Sequence, residues 1–408
     1  MYNYDFIIVG NSAAGLNAMR TLRHFDKSSS VAVIDRENEP AYSRVLTPYY
    51  VGDKIKRDAL YIVDKQFYKK NGLDTFFGKE LVSIVPEKNK IVLDDGTELN
   101  YCKLLLATGG EAKEIKYNNT RNVLKLRHFK DADKMGEMFK KSSSVVGFGA
   151  GLVTIPLLSH LKDEVEKHLV ISSDRIFSRV VDKDASCILE KKFESRGLTI
   201  HKKDDLTAID EKSDKLDITL KSGSKLIADL VIIGKGVEPN IQLAKGASID
   251  TNWGIIVDKH CCTSAENIFA AGDAAECDDF LGGGKIIQGN WLTAAEQGDV
   301  AAKNMLGHGV KYEGSLKNNT TEVFGTEVAV VGYFGDDVKS EIFYDEKRGF
   351  FRKIFLDDSD TIIGATMIGE TNDAGIYYGL VKRRAKLNNF NFKGFMNHAK
   401  ILKNMDYC

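Results

Sequence analysis

Apolar and polar positions alternate along this chain with two different periods, and the switch between them marks out its elements. DFIIVG, residues 5–10, is apolar with almost no polar alternation, as a strand buried on both faces of a sheet requires. The next segment, GNSAAGLNAMRTLRHF, places Leu16, Met19, Leu22 and Phe25 at helical spacing. VAVIDR, residues 31–36, returns to a buried strand, which completes one βαβ unit. The same design recurs from residue 144: SVVGFGAG, an apolar helix to about residue 163, then HLVISSDR at 168–175. Two such units in one chain predict an α/β fold with two doubly wound dinucleotide-binding domains.

Elsewhere the period is two. KIVLDDGTEL at 90–99 and LDITLKSGSKLIADLVIIG at 216–234 each carry a glycine turn between alternating apolar residues, the pattern of a hairpin. From about residue 320, TEVAVVGYFG, GFFRKIFLDD and DTIIGATMIG read as successive antiparallel strands, followed by helical IYYGLVKRRAKL. This predicts a C-terminal α+β domain, in which Phe350, Phe351 and Phe355 are core residues.

The turn between the first strand and helix carries the candidate chemistry. In GNSAAG, Gly10 allows a tight turn, Ser12 is small enough for close approach of a pyrophosphate, and Gly15 permits close helix–strand packing. Phosphate would lie on the helix N-terminus at Ala13 and Ala14, where free N–H groups and the macrodipole favour negative charge. Asp35, at the end of the second strand, is placed to bind a ribose hydroxyl, with Glu37 as the fallback and Arg36 between them. Further candidates are Thr108-Gly109, ending the strand LLLATGG, and Gly272-Asp273, ending NIFAAGDAAE.

Bulk properties exclude several classes. The chain has 408 residues, room for two or three domains around an enclosed site. Lys plus Arg number 57 against 58 Asp plus Glu, so no global field favours nucleic acid or an anionic membrane. No charged leader, cleavage site or membrane-length apolar run is present, and the expectation is a cytoplasmic protein. The cysteines show neither C-x-x-C spacing nor a metal-finger pattern, and no metal site is expected.

GNSAAG, LLLATGG, GVEPN and FAAGDAAE, in that order and spacing, resemble the FAD-dependent pyridine nucleotide-disulfide oxidoreductase superfamily over essentially the whole chain. Within it the chain is similar to rubredoxin and ferredoxin reductases and to the flavin-binding portion of nitrite reductases. The resemblance implies an FAD-binding domain of residues 1–112 and 246–319, an NAD(P)-binding-like domain of 113–245 and an interface domain of 320–408. It places the FAD pyrophosphate at Gly10, Ser12 and Gly15, the adenosine ribose at Asp35, and the ribityl chain or a phosphate-bridging water at Asp273. Thr108 and Gly109 would close over the cofactor, and the backbone near Leu81 would meet adenine. Arg44 would pair with phosphate or ribose oxygens, and Thr47-Pro48 would run beside the isoalloxazine. The helix from Asn290 and Trp291 would aim its N-terminus at the ring where negative charge gathers. Disulfide reductases of this fold carry a redox cysteine before a similar Pro-Tyr-Tyr. Residues 43–47 here, SRVLT, contain none, so no thiolate takes electrons at that place and no catalytic side chain is named. Cys408 and the Cys261-Cys262 pair remain formal thiol candidates.

The second copy departs from its pattern. With Gly147 and Gly149 read as the first two glycines of G-x-G-x-x-G, Leu152 stands for the third and Thr154 for the family's glutamate. Gly151 would let the turn shift, and Pro156 would kink the helix near its second turn. Ser172 or Ser173 with Arg175 would accept the 2′-phosphate of NADPH, whereas Asp174 would serve NADH, so the preference between the two is open. Gly236 in GVEPN would approach the nicotinamide nucleotide. The implied activity is FAD-dependent NAD(P)H:acceptor oxidoreduction, with electrons passed to a small iron–sulfur protein and a homodimer or hetero-oligomer as the assembly. The alternative is a partner-dependent electron-transfer flavoprotein subunit whose nicotinamide site has decayed. Direct reduction of oxygen is a third.

Overall fold

The computed structural model describes residues 2–115, 121–212, 214–387 and 400–402. By contacts the described chain divides into two units. The first comprises residues up to Leu46, Lys56–Glu111 and Val237–Leu316. The second comprises Thr47–Ile55, Ala112–Gly236 and the chain from Lys317 onward.

In the first unit the strand Tyr2–Val9 lies between Val31–Asp35 and Glu98–Leu106, parallel to both, with Val9 opposite Ile34 and Leu106. Leu73–Phe77 extends the sheet beyond Val31–Asp35, and Ile268–Ala270 pairs parallel with Glu98–Leu106. Lys90–Leu93 pairs antiparallel with Glu98–Leu106, as the hairpin pattern predicts, and Leu81–Val85 continues the edge. The helix Ala13–Phe25 covers the sheet with Leu16, Met19 and Leu22, each 0% exposed and each contributing roughly 1.5–3 kcal/mol by burial. Phe25, the last residue of that spacing, is 50% exposed. The helix Trp291–Met305 packs on Ala13–Phe25 at Gly298, where a Cβ would meet the Ala14 carbonyl.

In the second unit Ser144–Phe148 is flanked by parallel Glu166–Ile171 and Leu230–Ile233, with Phe148 opposite Val170 and Ile233. The helix that follows is shorter than the periodicity predicts, spanning Thr154–Ser159. Pro156 falls in its first turn, not its second, where the missing N–H costs little within the helix. Ile155 donates to the Gly151 carbonyl and Leu157 to that of Val153, but no bond from residue 156 can reach Leu152. That missing bond is why the regular helix begins only at Thr154.

The C-terminal strands form an antiparallel sheet in which Asn318–Val323, Thr326–Gly332, Ile362–Ile368, Phe350–Leu356 and Lys339–Asp345 neighbour one another in that order. Phe351 and Phe355 are fully buried, as core residues. Phe351 and Ile368 share one apolar cluster with Phe177, Phe193 and Leu230 of the second βαβ unit. Within the same unit the Lys353 ammonium is buried against Asp182 at 3.3 Å and Asp184 at 2.8 Å. No helix among the described residues is long and apolar enough to cross a membrane.

Candidate functional site

Gly10 follows directly on the first strand with φ +110°. Its N–H donates to the Ile34 carbonyl at 2.8 Å, and a Cβ there would run into the Ala107 carbonyl oxygen. Gly15 lies so close to the Gly10 carbonyl that any side chain would displace it, with the Ile8 methyl 3.3 Å from the same point. The chain therefore needs glycine at both positions, and the cradle lies at the N-terminus of a 13-residue helix. The Ser12 side chain makes no capping bond, and the first-turn amides of a helix have no intrahelical acceptor. Such a turn offers N–H groups to an anion.

Beyond the cradle the second strand ends in Asp35. Its carboxylate accepts from the amides of Asn11 at 2.7 Å and Glu37 at 2.8 Å, while burial pushes its pKa above the usual carboxylate value. Glu37 is occupied: it accepts from Tyr42 Oη at 3.0 Å and from Arg44 at 2.7 Å. The Arg44 guanidinium lies 5.1 Å from the Tyr42 ring centre, and burial holds the Tyr42 phenol protonated. Arg36 pairs with Glu111. Asn11, to which no motif points, ties this loop down: it donates to the Glu39 carbonyl at 3.2 Å and accepts from Tyr68 Oη at 2.9 Å. An isolated asparagine in a turn carries no sequence signal of that role.

Leu81 is buried at the start of its edge strand. Thr108 donates through Oγ1 to the Asn240 carbonyl at 3.1 Å, and Asn240 Nδ2 donates back to the Thr108 carbonyl at 2.8 Å. Gly109 accepts from the Asn240 amide at 2.9 Å, so the asparagine of GVEPN locks the end of LLLATGG. Gly272 has φ +78° and opens a single helical turn containing Asp273. Asn290 caps the Trp291–Met305 helix, accepting from the Thr293 amide at 2.8 Å. Its Nδ2 is shielded from solvent without an acceptor among the described residues. Thr47 and Pro48 are buried in a short helix, Thr47–Val51, which belongs to the second unit.

The second copy has the same strand-to-turn backbone in a different register from the one read above. Gly149, not Gly147, matches Gly10: it follows the strand with φ +100°, donates to the Val170 carbonyl at 2.9 Å, and a Cβ there would run into the Gly234 carbonyl oxygen. Gly151 then matches Ser12, and Thr154, not Leu152, stands at the third-glycine position. Gly147 matches Ile8 inside the strand, and Gly234 matches Ala107. The exchange of sizes is reciprocal. Thr154 is 0% exposed, and a Cβ on Gly147 would lie 2.5 Å from its Cγ2, while one on Gly234 would strike its Oγ1. The helix carries the bulk here, and the strands carry the glycines.

The same alignment matches Asp35 with Ile171, which is 1% exposed. No carboxylate therefore stands in the second copy where Asp35 stands in the first. Ser173 Oγ donates to the Arg175 carbonyl at 2.8 Å, and the Arg175 guanidinium faces the carbonyls of Ser178 and Val181 at 3.4 and 3.5 Å, within its own loop. Gly236 has φ +103° and accepts from the Lys113 amide at 3.0 Å.

The thiol candidates are quiet. Burial raises the pKa of Cys261 and pushes Cys262 up to about 11, so neither is a thiolate near neutral pH. Cys408 lies outside the described residues.

The model of a family described as pyridine nucleotide-disulphide oxidoreductase matches residues 4–298. The chain is 30% identical over 389 residues to the NADH-dependent phenylglyoxylate dehydrogenase subunit epsilon of Aromatoleum evansii, spanning 94% of this chain and 92% of that protein. It is 28% identical over 306 residues to a rubredoxin-NAD(+) reductase of Pseudomonas putida, spanning 74% of this chain and 80% of that one. Among solved structures, the covalent putidaredoxin reductase–putidaredoxin complex shares its fold, with a TM-score of 0.87, 21% identity and 94% of each chain covered.

Proposed function

Because the chain belongs to the pyridine nucleotide-disulphide oxidoreductase family, whose model matches residues 4–298, we propose that it is an FAD-dependent NAD(P)H:acceptor oxidoreductase serving a small iron–sulfur redox protein such as a ferredoxin or rubredoxin. One observation carries the cofactor assignment: Gly10 and Gly15 leave no room for a side chain at the turn into the Ala13–Phe25 helix, whose first-turn amides have no intrahelical acceptor. When bound, FAD supplies the chemistry of accepting a hydride from NAD(P)H and releasing electrons to the acceptor. The protein's part is binding and orientation. Ser12, Ala13, Ala14 and Gly15 meet the pyrophosphate, and Asp35, fixed by two backbone amides, meets the ribose. Thr108 and Gly109, held by Asn240, close the wall, with Asp273 at the ribityl chain and Asn290 Nδ2 as the unused donor facing the cofactor. The residues 1–112 and 246–319 are the FAD-binding portion, and the protein acts in the cytoplasm as a homodimer or hetero-oligomer.

A second reading is favoured by Thr154, Pro156 and Ile171, which remove the third glycine, a helix donor and the ribose carboxylate from the second copy. In that reading the chain is an electron-transfer subunit supplied by protein partners. Anaerobic mixing of the yellow protein with NADH or NADPH separates the two. Bleaching of the flavin band with either nucleotide is expected. Unchanged absorbance with both sinks the nucleotide-dependent reading and leaves the subunit reading.

A further inference from the structure

Behind the turn that carries Asp273 lies a closed polar network in an otherwise apolar core. Gln297, 1% exposed, accepts from the Gly272 amide through Oε1 at 2.7 Å. Its Nε2 donates to Cys277 Sγ at 2.9 Å and to Ser315 Oγ at 3.2 Å. Ser315 Oγ also lies 3.0 Å from Cys277 Sγ and 3.2 Å from Tyr312 Oη, and all these side chains are buried. Burial raises the pKa of the Cys277 thiol, and the neighbouring Ser315 only partly offsets that.

Such a network is costly unless every member is satisfied, and here each has a partner. Its geometry is directed. Gly272 sits at φ +78° with Ala14 of the cradle helix 3.3 Å and Ala294 of the Trp291–Met305 helix 3.5 Å from where a Cβ would be. Gln297 is itself on that second helix, whose Gly298 presses on the Ala14 backbone. One side chain thus links the turn bearing Asp273 to the helix that also bears Asn290 and grips the pyrophosphate cradle.

We infer that Gln297 is a positioning residue for FAD: by holding the Gly272 amide it fixes Asp273 against the cofactor, while Cys277 and Ser315 hold Gln297. The inference takes the FAD assignment as its premise, and it concerns the acceptor oxygen of Gln297 and not the volume of the side chain.

The test uses the full-length holoprotein and reads FAD affinity from flavin fluorescence released on dilution, with thermal unfolding in parallel. Gln297→Met, close in volume, is expected to weaken FAD binding about tenfold, the effect of one buried hydrogen bond. Gln297→Glu keeps the acceptor and is expected to hold FAD within about threefold of the native protein. Ser315→Ala removes one of the two acceptors that hold Gln297 Nε2 and is expected to lower the unfolding temperature and to weaken FAD binding by less than Gln297→Met does. In an Asp273→Ala background, Gln297→Met should cost almost nothing further, since residues acting through one another are not additive. Equal loss from Gln297→Met in both backgrounds, or unchanged FAD affinity in Gln297→Met, overturns the inference. If Gln297→Met yields no folded protein, Gln297→Glu decides alone: a tenfold loss of FAD there overturns it, and retention supports it. A native protein isolated without any flavin sinks the FAD assignment instead, whatever the variants do.

Discussion

The two βαβ units of this chain solve the same packing problem with the bulk on opposite sides. In the first, the helix contributes Gly15 and the flanking strands carry Ile8 and Ala107; in the second, the helix contributes Thr154 and the strands carry Gly147 and Gly234. Both place a left-handed glycine, Gly10 or Gly149, under the carbonyl of the neighbouring strand. What differs is the anion-facing edge. The first unit has a 13-residue helix starting three residues after its glycine and a fixed carboxylate at Asp35. The second has a helix of 6 residues starting later, Pro156 in its opening turn and an apolar Ile171. Fold and ligand edge are separable: the swap of sizes preserves the sheet–helix contact, and nothing in that contact preserves the phosphate and ribose partners.

Moving one unit's solution into the other should therefore fail without its partners. Gly15→Thr drives a side chain into the Gly10 carbonyl and the Ile8 methyl, and a loss of at least about 3 kcal/mol is expected, together with loss of bound flavin. Adding Ile8→Gly and Ala107→Gly relieves the Ile8 methyl but leaves the Gly10 carbonyl in the way, so only partial recovery of folded protein is expected; urea unfolding and flavin content measure both. An unaffected Gly15→Thr protein would break the comparison.

The reverse substitution, Thr154→Gly, empties the space beside Gly147 and Gly234. It should cost roughly 1–3 kcal/mol by urea denaturation with no gain in nucleotide affinity, because the opposing strands have no bulk to fill the void. A stabilised variant would show that the threonine is not packed as described.

A smaller, pH-dependent effect distinguishes the ends of the two helices. His160 ends the short helix, against Tyr49 at 4.5 Å, and burial first, then the Lys54 charge, lowers its pKa from 6.5 to about 4. The unfolded chain then binds a proton that the folded chain refuses. Stability is full above pH 6.5 and falls as pH drops toward 4. His160→Gln should flatten that part of the stability–pH curve, measured by urea midpoints at pH 7 and 5. A slope that survives the substitution assigns it elsewhere.

Leu152→Gly carries the smallest expectation. Leu152 is partly exposed and does not occupy the third-glycine position, so nucleotide affinity measured by titration should not improve. Improvement would restore the register that the sequence alone suggests.

Much of the fold and of the first site is legible in the local pattern of residues. The apolar runs at 6–9 and 145–148 read as strands covered on both faces, and an acidic residue directly after Ile34 is the residue the pattern offers for a ribose. The hairpin at 90–99 and the antiparallel strands beyond 320 follow from their period of two. The second fingerprint misleads because three glycines, Gly147, Gly149 and Gly151, stand at every other position, and spacing cannot say which one ends the strand. Only the hydrogen bond from Gly149 to Val170 fixes it. Asn240 and Gln297 carry no such signal, because their roles depend on Thr108 and Gly272, far away along the chain.

The sequence by itself determined that two strand–glycine–helix units exist and that no cysteine stands in the five residues before Pro48, since periodicity and residue identity are local properties. Tertiary structure decided which glycine turns each strand and which side of each contact bears the bulk. It also decided which buried amide holds the Asp273 turn. Those are relations between segments remote in sequence, fixed by close packing, in which a residue's size has meaning only beside the residue it meets.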